Sequence, residues 1–264
     1  MIDAMPDDRS SERCWWCGSL GPLSSEHKFK RTDLKRVRGN DGEDLSWLGA
    51  GEVRKVRSDR KSHLVRFTKS LCRSCNDSRS QPFDRAYDRF AEYVWARPLW
   101  NPRRVDLREM FPEGGRAEAV NLGRYVVKHF GCRIVQDGYP VPRSFVDFLN
   151  GGPEPSDVRL VFISHASLLR RFRDAVREGD DVRGVGMLEA LGLIDSASGD
   201  LTGYSSALLV GHFGIGYEWI CDAVGSEVFF AMPRPRVYRG DAWRRIGGQR
   251  ARRWGGLQPR RFAP

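Results

Sequence analysis

"CWWC" at 14–17 and "LCRSCND" at 71–77 decide how the first half of this chain folds. Each contains a Cys-x-x-Cys knuckle, and 54 residues separate Cys17 from Cys72. Four thiolates from two such knuckles satisfy the tetrahedral preference of zinc and leave no coordination position open. A closed site of this kind is a structural staple. The separation is long for a compact ribbon, but a loop lengthens at little entropic cost. Cys14, Cys17, Cys72 and Cys75 are therefore expected to hold one structural Zn²⁺; two unrelated thiol pairs are the other reading. Cys132 and Cys221 join no such pattern and read as buried thiols, which pack like small hydrophobes.

Composition sets the class. The chain has 264 residues, 40% hydrophobic and 30% charged, which fits a globule with one large or two modest cores. No stretch approaches the ~20 apolar residues of a membrane span, and the polar start "MIDAMPDDRSSER" (1–13) has no signal-peptide core. A cytoplasmic protein with no membrane partner is expected, and its close cysteine pairs favour metal over disulfide. The net charge of +10 is uneven. Residues 1–112 carry 23 Lys/Arg against 17 Asp/Glu, residues 113–232 carry 11 against 16, and residues 233–264 carry 10 Arg against one Asp. A basic front and a basic tail around an acidic middle suit a polyanionic partner.

The sequence divides accordingly into an N-terminal domain over 1–112, an α+β domain of unknown role over 113–232, and an Arg-rich tail over 233–264. Residues 52–58 and 62–71 read as strands. Phe83, Tyr87, Phe90 and Val94 recur at helical spacing, and Pro82 fits the first turn of that helix. The Pro- and Gly-rich run from 97 to 115 reads as the end of the helix and a linker. Residues 116–130 read as a helix, 157–164 as a strand, 166–177 as a helix, 201–220 as strand and turn, and 226–232 as a further strand. The glycines of "GHFGIG" (211–216) read as turns; no Lys-Ser/Thr follows to make a phosphate loop.

Function is suggested by what lies beside the knuckles. Glu26 and His27 follow the first, and Asn76 directly follows the last cysteine. The carboxylate of Glu26 and the amide oxygen of Asn76 are hard donors suited to Mg²⁺ or Mn²⁺, which fill remaining positions with water and phosphate. His27 is the natural general base, because imidazole titrates near neutrality. One metal and one base suffice for phosphodiester hydrolysis.

At these residues the sequence resembles the HNH endonucleases with a four-Cys zinc site, whose motif runs Cys-x-x-Cys, acidic-His, Cys-x-x-Cys-Asn. "SSEHKFKRTDL" and "LCRSCNDSRSQPFDRAYDRF" carry the resemblance, which covers roughly residues 14–95. It implies a zinc-stapled ββα-metal core, which the mixed α+β domain read from residues 113–232 would follow. It also implies that Glu26 and Asn76 hold the catalytic metal while His27 is the base. The middle Asn of the motif has no counterpart in "HLVRFTKSLC" (63–72), and the last position is Asn76 in place of a His.

The basic residues have a matching role. Lys28, Lys30, Arg31, Lys35, Arg36 and Arg38 follow the base, Arg54, Lys55, Arg57, Arg60 and Lys61 lie in the insertion, and Arg73 and Arg79 flank the last knuckle. Such residues bind phosphates without choosing sequence. In the tail, ten Arg interleave with Tyr238, Trp243, Trp254 and Phe262, a mix that suits stacked bases or packing on the acidic middle domain. Asp84 reads as a helix cap or a group behind the metal. His63, His129, His165 and His212 read as structural.

The expectation is a metal-dependent endonuclease acting on nucleic acid, DNA in the first place, and compatible with a homodimer. The alternative is a non-catalytic zinc-containing nucleic-acid-binding protein.

Overall fold

A computed structural model describes residues 13–38, 45–49, 52–56, 62–180, 183–221, 223, 227–240, 242–244, 246 and 257–262. The fold is α+β and carries the four cysteines as one cluster. Arg57, Arg60 and Lys61, assigned to nucleic acid above, and Trp254, read either as a stacking ring or as part of a packed tail, lie outside the described residues.

Strand β1 (Leu23–His27) pairs antiparallel with β4 (Arg66–Cys72). Between them come helix α1 (Arg31–Arg38) and the small hairpin of β2 (Ser46–Gly49) and β3 (Glu52–Lys55). Acidic Asp33 in the first turn of α1 and Lys35, Arg36 and Arg38 in its last suit the helix dipole. Asp33 is buried and accepts hydrogen bonds from Tyr87 Oη at 2.8 Å and Trp95 Nε1 at 2.9 Å. A π-helical turn, Ser74–Arg79, leads from β4 into helix α2 (Gln81–Trp95), whose first turn holds Pro82. The expected stripe of Phe83, Tyr87, Phe90 and Val94 is buried.

The run expected to be a linker is packed structure. Short helix α3 (Leu107–Met110) buries Leu107 and Met110, and Phe111 follows inside. Val105 N donates to Pro235 O at 3.0 Å and Leu107 N to Pro233 O at 3.1 Å. These bonds lay the segment along the start of the expected tail.

Helix α4 (Gly115–Gln136) runs six residues beyond the expected end and is buried around most of its circumference. From Tyr125 to Ile134 every residue is buried, so this stretch runs through the interior. One face meets the N-terminal elements: Tyr125 stacks on Tyr87 with ring centroids 4.2 Å apart, and His129 meets Phe67 edge-on at 4.8 Å. Another meets the sheet, with Phe130 4.5 Å from Tyr217. A single apolar cluster thus extends from Cys14 to Val237, and the core is continuous across the 112/113 boundary read from charge.

Helix α5 (Arg143–Leu149) precedes the main sheet. That sheet comprises β5 (Val158–Ser164), β6 (Val185–Met187), β7 (Ala190–Asp195), β8 (Leu201–Val210), β9 (Phe213–Ile220), β10 (Val237–Arg239) and β11 (Leu257–Phe262). The strand order is β10-β5-β9-β8-β7-β11, with β6 also on β8. Among the described strands, only β10 and β5 pair in parallel. Helix α6 (Ala166–Glu178) crosses from β5 toward β6. Pattern explains the two buried faces of β5: Leu160 and Phe162 join the main core, while Val161 and Ile163 join a second cluster with Trp243. The strand expected over 226–232 is instead a 3-10 turn, Phe229–Ala231, that tucks Phe229 and Phe230 into the core.

The described part of the tail is not a free basic arm. β10 and β11 extend the sheet, and Trp243 is fully buried. A Cβ on Gly216 would stand 2.8 Å from its ring. This fits the packing reading and removes Trp243 as a base-stacking platform. Among the described residues, no helix is long and apolar enough to cross a membrane.

Gly131 of α4 lets Trp15 of the first knuckle lie on the helix; a Cβ there would be 2.6 Å from the indole. Gly131→Val should therefore overpack this contact and cost about 1–3 kcal/mol, read as a lower urea midpoint with unchanged m.

Candidate functional site

The first knuckle is a tight turn. Cys14 N donates to Ser19 O at 3.0 Å, Gly18 N to Cys14 O at 2.8 Å, and Gly18 takes a φ of 73°, a value that favours glycine. Trp15 N donates to Ser70 O at 3.1 Å, which places the turn against the end of β4, where Cys72 and Cys75 emerge. All four sulfur atoms lie within 4.8 Å of one another, and Cys17 Sγ is 3.6 Å from Cys72 Sγ. A tetrahedron with ~2.3 Å metal–sulfur bonds has edges of about 3.8 Å, so the cluster can hold a metal ion. Burial pushes the Cys14 and Cys75 thiols up. For Cys17 burial acts upward too, but hydrogen bonds from Ser19, Cys14 and Cys75 bring it down to about 6. Asn150 braces the assembly, accepting from Trp16 Nε1 at 2.9 Å and from Arg79 at 2.6 Å.

The β1–β4 pairing carries an irregularity at Glu26. Ser25 faces Lys69 and His27 faces Arg66, so a two-residue step on β1 meets a three-residue step on β4. A bulge re-aims side chains locally. Here Glu26 is buried, while His27 is half-buried at the strand end. Asn76, in the π-helical turn, donates from Nδ2 to Ser24 Oγ at 3.1 Å. It thus lies beside the strand that carries Glu26 and His27. Its Oδ1 is buried with no hydrogen-bond partner, an acceptor that a hard cation would satisfy.

Glu26 has a partner that the sequence did not predict. Lys128 of α4 is wholly buried, and its Nζ lies 3.2 Å from Glu26 Oε1, 3.5 Å from Asp84 Oδ1 and 3.2 Å from Ser80 Oγ. Burial drives the Lys128 pKa down, but the Glu26 and Asp84 carboxylates outweigh it and hold the amine protonated. The available signal was a lysine inside the apolar run "YVVKHFGC" (125–132), since a buried lysine needs a counter-charge. Neighbouring His129 is buried, bonded through Nε2 to Lys28 O at 2.9 Å, and pushed down to about 3 by burial.

Comparison with family models, with curated proteins and with solved structures gives no match to this chain. Function therefore rests on the residues themselves.

The basic residues separate into two groups. Lys28 is buried, its ammonium 5.9 Å from the Trp47 and Phe67 ring centroids, and burial draws it down to about 8. Lys30 is anchored, donating to Asp84 O and Asp88 Oδ2, each at 2.7 Å. These two were expected to face phosphate; packing turns them inward instead. Arg79 lies over Trp16 at 4.6 Å and braces the knuckle. Arg31, Lys35 and Arg73 are exposed, with Arg73 3.4 Å from Asp77. Arg36 is half-exposed, 3.3 Å from Glu92.

Proposed function

We propose that the chain is a metal-dependent endonuclease of the HNH type, acting on DNA. The observation that carries this reading is Asn76, whose Oδ1 is buried without a hydrogen-bond partner and whose Nδ2 bonds Ser24 on the strand that also carries Glu26 and His27, next to a four-cysteine cluster. The antiparallel β1–β4 pair followed by α2 fits a ββα-metal core. Zinc is the ion we assign to the four cysteines, because four soft donors at these spacings match it.

Glu26 and Asn76 are the residues that would hold Mg²⁺ or Mn²⁺. When bound, such an ion stabilises charge on phosphoryl oxygens. The chain's own contribution is to place and prepare the reactants. His27 accepts the proton of the attacking water. Arg31, Lys35 and Arg73, which face solvent, bind backbone phosphates. The paired substitution Arg31→Ala/Lys35→Ala should weaken DNA binding and flatten its salt dependence by about two phosphate contacts, while cleavage at saturating enzyme stays intact. Filter binding across salt concentrations measures the slope.

A second reading, non-catalytic binding of nucleic acid, draws on the Lys128 ammonium already seated on Glu26. The zinc-loaded chain tested for plasmid nicking, alongside a gel shift in EDTA, separates the two. Nicking that requires Mg²⁺ or Mn²⁺ supports the nuclease. A shift in EDTA with no nicking under any divalent ion supports the binding protein.

A further inference from the structure

We infer that Lys128 is a built-in competitor for the divalent ion, and that it holds the metal affinity of the free chain low. The inference rests on the reading that Glu26 takes that ion. Lys128 Nζ is enclosed by Glu26 Oε1, Asp84 Oδ1 and Ser80 Oγ, at 3.2, 3.5 and 3.2 Å. Three oxygen donors, two of them carboxylate, are what a hard cation would take from a protein. The ammonium is wholly buried, whereas Glu26 and Asp84 retain some exposure. It comes from α4, an element outside the β1–β4–α2 unit.

The same ammonium is joined to the other metal candidate. Ser80 Oγ, 3.2 Å from Lys128 Nζ, lies 2.6 Å from Asn76 O and 2.9 Å from Asp84 Oδ2. Lys128 therefore contacts Glu26 directly and reaches the turn bearing Asn76 through one hydroxyl. A divalent ion arriving at Glu26 meets a carboxylate whose charge is already balanced, and it is repelled by the ammonium behind it. At such separations in a partly buried site, like-charge repulsion is strong. Removing the charge at position 128 leaves Glu26 and Asp84 without that counter-ion, a deficit that a divalent cation fills.

The test is Mn²⁺ titration of the zinc-loaded full chain without nucleic acid, with free Mn²⁺ read by electron paramagnetic resonance. Lys128→Gln keeps a donor for Ser80 and drops the charge. Lys128→Met drops both. Both should bind Mn²⁺ more tightly than the wild-type chain, by roughly tenfold or more, and Lys128→Arg should not. Adding Glu26→Gln to either should abolish the gain. The double variant Glu26→Gln/Lys128→Met replaces a buried ion pair with neutral groups and keeps the fold testable even where Lys128→Met alone does not fold. Equal Mn²⁺ affinity in wild type and Lys128→Gln, with binding lost in Glu26→Gln, overturns the inference and leaves the metal reading standing. Absence of Glu26-dependent Mn²⁺ binding in every variant overturns both.

Discussion

His27→Ala should fold, keep its metal and bind DNA, yet cleave about 10²–10⁴-fold more slowly. The size of the effect follows from what a general base does. It acts on water in the transition state and contributes little to holding the ground-state duplex. The fold should survive because His27 ends β1 and is only half-buried. The chain on either side is held independently, by Glu26 on Lys128 at 3.2 Å and by Lys28 N on Val65 O at 2.9 Å. Single-turnover cleavage at saturating enzyme is the measurement that counts, since it removes binding from the comparison. Glu26→Ala and Asn76→Ala should also lose activity, with partial recovery at high Mg²⁺; His27→Ala should not recover. A His27→Ala enzyme cutting at the wild-type rate means that the base is elsewhere, or that the site does no chemistry.

Cys75→Ser should be the most damaging single change to stability, at about 4 kcal/mol or more. Cys75 is fully buried in the π-helical turn, within 4.8 Å of the other three sulfur atoms. With zinc bound, removing one thiolate opens the tetrahedron, and the binding free energy that had contributed to folding is lost. The damage should spread, because the knuckles also fix Trp15 on Ser70 O and Trp16 on Asn150. Urea unfolding and zinc content, measured on one preparation, test this together. Wild-type protein should contain about one zinc per chain; stable zinc-free protein argues against the staple.

The sequence was most informative where geometry is local. Two cysteines separated by two residues announce a knuckle, and Phe83, Tyr87, Phe90 and Val94 announce a helix because their spacing matches its turn. The candidate residues Glu26, His27 and Asn76 were legible only as neighbours of the knuckles, and Asn76 lies beside the strand that carries the other two. Lys128 could be flagged as a lysine in an apolar run, but its partner was illegible because Glu26 is 102 positions away and no period connects them. Lys28 and Lys30 looked like phosphate contacts because a basic run is read by charge alone. Their inward turn depends on Trp47, Phe67 and Asp88, which only tertiary packing brings near. The tail was read by its arginines, yet β10 and β11 are placed by backbone pairing, which a charge count does not register.

The position of α4 has a consequence for synthesis. A ribosome that has released about 110 residues has delivered all four cysteines, but not the helix that covers α2 or the lysine that neutralises Glu26. The nascent half can close its sulfur cluster, while Tyr87 and Phe90 still await Tyr125 and the sheet. Such a growing chain would display an oily flank, a target for chaperones and proteases. Expression of residues 1–112 as a separate fragment would preserve that vulnerable stage indefinitely.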